Sequence, residues 1–157
     1  DDGIKPEIET LDSSFFDKVF TNYATIAEEN EKGFTAQNQV GRSIKTDKTL
    51  LKQLMTILFD NAIKYTEDDG QVPLTVRTND RHLYITVADN GPGIADEDKK
   101  KIFDRFYRVD KDRTRQKGGF GLGLSLAQQI VLALKGTIIV KDNQPKGTIF
   151  EVKITGV

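Results

Sequence analysis

The sequence predicts an α+β fold, in which a mixed, mostly antiparallel sheet carries three main helices on one face. Two observations support this class. Stretches with apolar residues at three- and four-residue spacing, typical of helices, are separated by pairs of short alternating stretches, typical of strands. The strands of a pair follow each other directly along the chain, which favours antiparallel pairing beside helices rather than a parallel α/β order.

The first part of the chain divides into two helices and up to five strands, bounded by capping and turn residues. Asp12-Ser13-Ser14 and Thr46-Asp47 offer N-caps for the two helices. The acidic run Glu67-Asp68-Asp69-Gly70 ends the second helix. The predicted elements are a short strand or entry loop at 4–11, helices at 13–30 and 48–65, strands at 33–39 and 42–46, and a hairpin of 72–77 with 82–87.

The remainder predicts two helices and a final hairpin. Asp96-Glu97-Asp98 favours a short helix to about residue 104, because acidic residues suit a first helical turn. A polar tract follows, and then an apolar helix at 121–134. Gly136 is the expected residue after its C-terminus, in the left-handed conformation. Strands at 137–142 and 147–154 complete the chain.

Composition is that of one soluble domain spanning residues 1–157. The 23 basic and 24 acidic residues give a net charge of −1, so no general attraction to nucleic acid or anionic lipid is expected. Cysteine is absent, which excludes disulfides, thiol catalysis and thiolate metal sites. No apolar run is long enough to span a membrane, and we expect cytoplasmic folding.

Two glycine clusters dominate the second half. Gly91 and Gly93 follow Asp89, and Gly119, Gly121 and Gly123 precede the last helix. Glycine marks places where the backbone turns tightly or approaches another group closely. Between the clusters, nine basic residues occur in the 19 positions from 99 to 117. We interpret this stretch as a nucleotide site with a mobile cationic cover, although a solvated loop has the same composition.

The second predicted helix carries Asn61, Lys64 and Tyr65 on one face, because their spacing is i, i+3, i+4. An amide oxygen suits Mg²⁺, a lysine suits phosphate and an aromatic ring suits a base. The alternative is a solvent-facing Asn and Lys beside a core tyrosine.

Asp89 ends an alternating strand, where its carboxylate can accept a hydrogen bond from an exocyclic amine such as that of adenine. The alternative is a turn-forming aspartate. The run from Gly119 to Leu124 opens a helix, and its backbone amides can bind phosphate beside Lys117. It is neither a P-loop nor a dinucleotide fingerprint, and close helix packing is the alternative. His82, the single histidine, is expected to be a surface strand residue.

These stretches together resemble a known family. Leu58 to Thr66 resembles an N box, Asp89 to Ile94 a G1 box, Ile102 to Arg108 an F box and Gly119 to Leu124 a G2 box. In order and spacing the whole chain resembles the catalytic and ATP-binding domain of sensor histidine kinases, in the superfamily that includes gyrase and MutL. The resemblance implies a Bergerat-type α/β sandwich that binds ATP and Mg²⁺ between the helices and a lid at about 95–120.

The resemblance also implies roles for individual residues. Asn61 and Lys64 would be catalytic, with Asn61 as the Mg²⁺ ligand and Lys64 on phosphate. Tyr65 would line the adenine side, and Asp89 would bind the adenine amino group. The other expected cofactor-binding residues line the base pocket, the lid edge and the phosphate loop: Gly91, Gly93, Ile94, Phe103, Arg105, Arg108, Lys117, Gly119, Gly121, Leu122, Gly123 and Leu124.

Two departures qualify the expected activity. Ile57 stands where many members have a second Asn and where hydrolysing relatives have a glutamate, and isoleucine is no general base. No motif here matches the family's phosphorylated histidine. We therefore expect a kinase half that acts on a separate helical dimerisation and phosphoacceptor domain, absent from this chain, with a response regulator downstream. The resemblance implies a membrane-bound homodimeric parent and a monomeric fragment.

Two alternatives remain open from the sequence. One is a regulatory nucleotide-binding module without kinase chemistry, which Ile57 keeps open. The other is a serine kinase of the related anti-sigma-factor type, which the F box disfavours.

Overall fold

The computed structural model describes residues 3–107 and 123–157 and has the predicted α+β class. In the chain order of this article its elements are β1 (Glu9–Leu11), α1 (Ser13–Glu29), β2 (Gly33–Gln39), β3 (Ile44–Thr46), α2 (Lys48–Tyr65), β4 (Gln71–Thr78), β5 (His82–Asp89), α3 (Asp96–Lys99), α4 (Gly123–Ala133), β6 (Gly136–Asp142) and β7 (Thr148–Thr155). Within the described residues, no helix is long and apolar enough to cross a bilayer.

The main sheet has five strands in the order β2-β4-β5-β7-β6. Only β2 and β4 are parallel neighbours, because α2 carries the chain across between them; the other pairs are antiparallel. Strands β1 and β3 form a separate antiparallel pair beside the helices. The prediction of a mixed, mostly antiparallel sheet is confirmed. The last strand, β7, lies inside the sheet next to β5.

One face of the sheet is buried against the helices. Alternate residues of β4, β5 and β7 form that face: Val72, Leu74, Val76, Leu83, Ile85, Val87, Phe150, Val152 and Ile154. Every second residue of these strands therefore contributes to one continuous apolar surface, as the alternating sequence predicts.

An aromatic cluster fixes α1 against α2. The rings of Tyr23 and Phe59 stack at 4.2 Å, and Phe34 meets both edge-on. The Tyr23 hydroxyl lies 2.7 Å from Thr56 Oγ1, and burial raises the pKa of Tyr23 to about 12. Because α2 carries the predicted N-box residues, this cluster holds their backbone in place.

The short helix predicted to residue 104 is wrong in length, since α3 ends at Lys99. Turns follow, in which Ile102 is buried and Phe103 meets Phe150 edge-on at 6.3 Å between ring centroids. The Tyr107 hydroxyl donates to Asp98, which folds the segment back on α3. Packing of two consecutive apolar side chains therefore overrides the local helix propensity.

The predicted role of Gly136 is also wrong. Lys135 takes the left-handed conformation after α4, with φ +65°, and Gly136 begins β6. A Cβ on Gly136 would lie 2.5 Å from the Lys153 carbonyl oxygen of β7. Gly136 therefore allows β6 and β7 to approach each other closely, and it does not terminate a helix.

This contact predicts that Gly136→Ala destabilises the β6–β7 pair. We expect the free energy of unfolding to fall by about 1–3 kcal/mol, as for other overpacked sites. Gly41→Ala is the matched control, because its nearest neighbour would be Thr78 Oγ1 at 4.0 Å. Urea unfolding of both variants measures the difference, and equal stabilities would contradict the close approach.

Candidate functional site

The centre of the site is the Asp89 side chain at the end of β5. It is only 3% exposed, and its Oδ1 accepts hydrogen bonds from the amides of Gly91 at 2.9 Å and Thr148 at 3.3 Å. The Asp89 carbonyl oxygen accepts from Asn143 Nδ2 at 2.8 Å. Residues from β5, the turn after it and the β6–β7 connection therefore fix this carboxyl group.

Burial raises the pKa of the Asp89 carboxyl, and the hydrogen bonds from the Gly91 and Thr148 amides offset part of that rise. A carboxyl group held by two amides keeps a defined orientation and still has acceptor capacity on its other oxygen. The bond from the Gly91 amide is the local contact of a turn-forming aspartate, and the other carboxyl oxygen keeps acceptor capacity for a hydrogen-bond donor.

Gly91 allows the turn after β5 to touch the C-terminal end of α2. A Cβ at this position would lie 2.2 Å from the Tyr65 carbonyl oxygen. Gly93 has φ +79°, a conformation that other residues rarely adopt, and lies beside the Gly147 carbonyl. Asn90 Oδ1 accepts from the Glu67 amide at 3.1 Å, which ties the same turn to the loop after α2. The G1-box glycines thus join Asp89 to the helix that carries Asn61.

The side chains of Asn61, Lys64 and Tyr65 are half-buried on α2. Gly123, the first residue of α4, lies against α2, because a Cβ there would be 3.7 Å from Ile57 Cγ2. Ile57 precedes Asn61 by one helical turn. The start of α4, the N-box face and Asp89 are therefore assembled around the C-terminal half of α2.

Apolar members of the predicted set belong partly to the core. Ile94, Phe103 and Leu124 are half-buried and pack against it. Arg105 is exposed, with its guanidinium carbon 5.3 Å from the centroid of the Phe106 ring. The predicted residues Arg108, Lys117, Gly119, Gly121 and Leu122 lie outside the described residues.

Lys99 fixes α3, the start of the predicted lid, to the sheet. Its ammonium group bonds Asp96 and lies 2.9 Å from Asp142 at the end of β6. The hydrogen bonds that Lys99 donates to Asp96 and Asp142 raise the pKa of Lys99. The segment up to Tyr107 thus contacts the sheet through Lys99 and through Phe103, while the bond from Tyr107 to Asp98 closes the segment on α3.

The sequence pattern does not identify three residues that surround Asp89. Thr148 and Asn143 bind Asp89 directly, and a Cβ on Gly147 would lie 2.0 Å from the Asp89 carbonyl oxygen. They follow Asp89 by more than fifty residues, and the sequence pattern around them indicates only a hairpin connection. The pairing of β5 with β7 brings them together. His82 lies at the opposite end of β5, as a surface role predicts.

A site for Mg²⁺ made of protein carboxylates is not present in the described ranges, where no group of three or more His, Cys, Asp or Glu could hold a metal ion. Among the residues predicted on α2, Asn61 offers a neutral amide oxygen as a donor. Such a donor fits a Mg²⁺ ion that takes most of its ligands from substrate phosphates and water.

The chain is similar in sequence to proteins of known families. Residues 46–156 match the sequence model of the family described as histidine kinase-, DNA gyrase B-, and HSP90-like ATPase. The sensor protein CiaH of Streptococcus pneumoniae serotype 4 is 68% identical over 154 residues, which are 98% of this chain and 35% of the relative. The signal transduction histidine-protein kinase ArlS of Staphylococcus aureus strain USA300 is 44% identical over 109 residues, 69% of this chain and 24% of the relative.

A solved structure shares the fold. Full-length ShkA in complex with AMPPNP superposes with a TM-score of 0.81 at 26% identity, over 98% of this chain and 32% of that chain. The chain spans about a third or less of the length of these proteins.

The environment of Asp89 predicts a pH dependence of stability. Its folded pKa is raised, so the stability that the protonated group contributes is complete below the unfolded pKa of about 3.9 and is lost as the pH rises through the folded pKa. We therefore expect the free energy of unfolding of the wild type, relative to Asp89→Asn, to fall as the pH rises from about 4 to 7.

Asp96→Asn is the control, because the bond to Lys99 lowers the pKa of Asp96. Its contribution is present above the unfolded pKa and lost as the pH falls through the folded pKa, which is the opposite sign. Urea titrations from about pH 2 to pH 7 measure both differences, because the change for Asp96 lies below its unfolded pKa. A flat profile for Asp89→Asn relative to wild type would contradict the buried carboxyl.

Proposed function

Because the chain belongs to the histidine kinase-, DNA gyrase B- and HSP90-like ATPase family, we propose that it is the ATP- and Mg²⁺-binding catalytic domain of a sensor histidine kinase. Its product would be a phosphohistidine on the helical dimerisation and phosphoacceptor domain of the same protein, with a response regulator as the next acceptor. The names and the 68% and 44% identities of CiaH and ArlS support this reading. We place the domain on the cytoplasmic side of a membrane-bound homodimer.

The observation that carries the proposal is the fixed carboxyl group of Asp89 beside the polar face of α2. Both amides donate to Oδ1. We assign Oδ2 as the acceptor for the 6-amino group of adenine, and Tyr65 as part of the wall beside the base. Gly91 and Gly93 shape the turn beside this pocket, because the Tyr65 carbonyl excludes a side chain at Gly91 and the positive φ disfavours one at Gly93.

The phosphate end would lie along α2 toward α4. Asn61 would hold Mg²⁺ through its amide oxygen, and Lys64 would bind phosphate oxygens. The bound ion would supply charge neutralisation on the phosphates. The start of α4 would add a positive helix end, since the first amides of a helix generally lack intrahelical partners.

The residues favour transfer over hydrolysis. Ile57 is aliphatic, half-buried and in contact distance of Gly123, and it cannot deprotonate water. In the proposed transfer an imidazole nitrogen of the acceptor forms a bond to the γ-phosphorus while the bond from phosphorus to the ADP oxygen breaks. The chain's contribution is then to hold ATP in line and to stabilise charge.

This assignment predicts that Asp89→Asn and Asn61→Ala each weaken binding of ATP with Mg²⁺. The first keeps an acceptor at Oδ1 and places an NH₂ group against the adenine amine; the second removes the metal ligand. We expect losses of at least about tenfold, equivalent to about 1.4 kcal/mol, by calorimetry.

Asn22→Ala, an exposed Asn→Ala change on α1, is the matched control and should bind as the wild type does. Melting curves of each variant test whether it is folded. Unchanged affinity in both Asp89→Asn and Asn61→Ala would remove the site assignment.

A second prediction concerns the chemistry. Mixed with the purified helical phosphoacceptor domain of its parent protein and labelled ATP, the chain should transfer label to a histidine there. The phosphorylated product should be labile in acid and stable in base, and Asp89→Asn should slow its formation.

ATP binding without any labelled acceptor would favour a regulatory nucleotide-binding module, the reading that Ile57 keeps open. An acid-stable product would favour a serine kinase. Either result would overturn the histidine kinase proposal while leaving the nucleotide site intact.

A further inference from the structure

The β6–β7 turn lies against the end of β5 and contacts the backbone of Asp89. Asn143, half-buried in this turn, donates from Nδ2 to the Asp89 carbonyl oxygen at 2.8 Å. Its Oδ1 accepts from the Gln144 amide at 2.8 Å, and its own amide donates to the Gly147 carbonyl at 3.0 Å. Both ends of the Asn143 side chain are therefore used, which fixes its rotamer.

We propose that Asn143 is a specificity-determining positioning residue, which orients Asp89 so that the site distinguishes adenine by its 6-amino group. The inference rests on the proposed function, because it concerns the base that Asp89 recognises. Asn143 itself touches the backbone of Asp89 and not the ligand.

The geometry supports action through Asp89. The Asp89 carboxyl is held by amides on two sides, from Gly91 and Thr148, and its carbonyl is held by Asn143. These contacts fix both the side chain and the backbone of Asp89. Loss of the bond from Asn143 would allow the Asp89 peptide to tilt and would change the orientation of the carboxylate. Hydrogen bonds to buried groups depend steeply on such alignment.

The turn is braced at both ends against other parts of the site. Asp142 lies 2.9 Å from Lys99 of α3, and Lys146 lies 2.7 Å from Glu67 in the loop after α2. The second of these pairs is exposed, and exposed ion pairs contribute little stability. Gly147 of the turn approaches the Asp89 carbonyl closely, and Asn143 provides the side-chain hydrogen bond from the turn to Asp89.

A purely structural role for Asn143 has a different consequence. If the residue only stabilised the turn, its removal would weaken the binding of all nucleotides equally, or would only lower the melting temperature. A positioning role instead lowers the preference for a base with a 6-amino group over the same base without it.

The experiment compares the dissociation constants of ATP and of purine riboside triphosphate, which has hydrogen in place of the 6-amino group, for the wild type, Asn143→Ala, Asn143→Asp and Gln144→Ala. Aspartate keeps the acceptor for the Gln144 amide and lacks the donor to Asp89. Gln144 is exposed and adjacent, so its side chain provides the matched control.

We expect the wild type to prefer ATP, and both Asn143 variants to lose about fivefold to tenfold of that preference, as for loss of one aligned hydrogen bond. Gln144→Ala should retain it. Equal weakening of both nucleotides, or an unchanged preference in folded Asn143 variants, would overturn the inference and leave the proposed ATP site standing. A wild type without preference would remove the role of Asp89 together with that of Asn143.

A measurement on the wild type keeps the test independent of variant folding. The side-chain NH₂ resonances of Asn143 should exchange slowly with solvent and should shift with ATP more than with purine riboside triphosphate. Fast exchange and identical shifts would contradict the positioning role.

Discussion

Backbone crowding at the end of β5 determines how the rest of the structure is arranged. The turn after Asp89 lies so close to the Tyr65 carbonyl, and Gly147 so close to the Asp89 carbonyl, that only glycine fits at Gly91 and Gly147. Three chain segments therefore meet within van der Waals distance of one another. The carboxyl group of Asp89 is buried where they meet, and every other feature of the site is placed relative to it.

The helices give this point a rigid support. Stacking of Tyr23 on Phe59 and the contact of Tyr23 with Thr56 fix α2 on α1, while the opposite side of α2 faces α4 near Ile57. Asn61 and Lys64 thus project from a helix whose other faces are packed. Polar groups on a packed helix keep their positions better than groups on a loop, which suits a reaction that depends on alignment.

Much of this architecture is predictable from local sequence, and the remainder depends on contacts that local sequence does not encode. Helix α2 occupies its predicted residues because Asp47 caps it and its apolar residues recur regularly. Asp89, Gly91 and Gly93 are identifiable because a strand ends in a glycine-rich turn. Asn143 and Thr148 are not, since their partners lie across the sheet. The predictions for Gly136 and α3 are wrong for the same reason, because the Lys153 carbonyl and the Phe150 ring, both on β7, decide their conformations.

The position of β7 has a consequence for the order in which the molecule can assemble. It is the last strand along the chain and yet lies between β5 and β6, and it supplies the Thr148 amide to Asp89. During synthesis, β4 and β5 can pair before β7 has been made, but the surroundings of Asp89 stay incomplete until β7 has entered the sheet. Long-range pairing of this kind slows folding. A chain shortened before β7 would therefore carry both N-box and G1-box residues and still lack the Thr148 amide that holds the Asp89 carboxyl group.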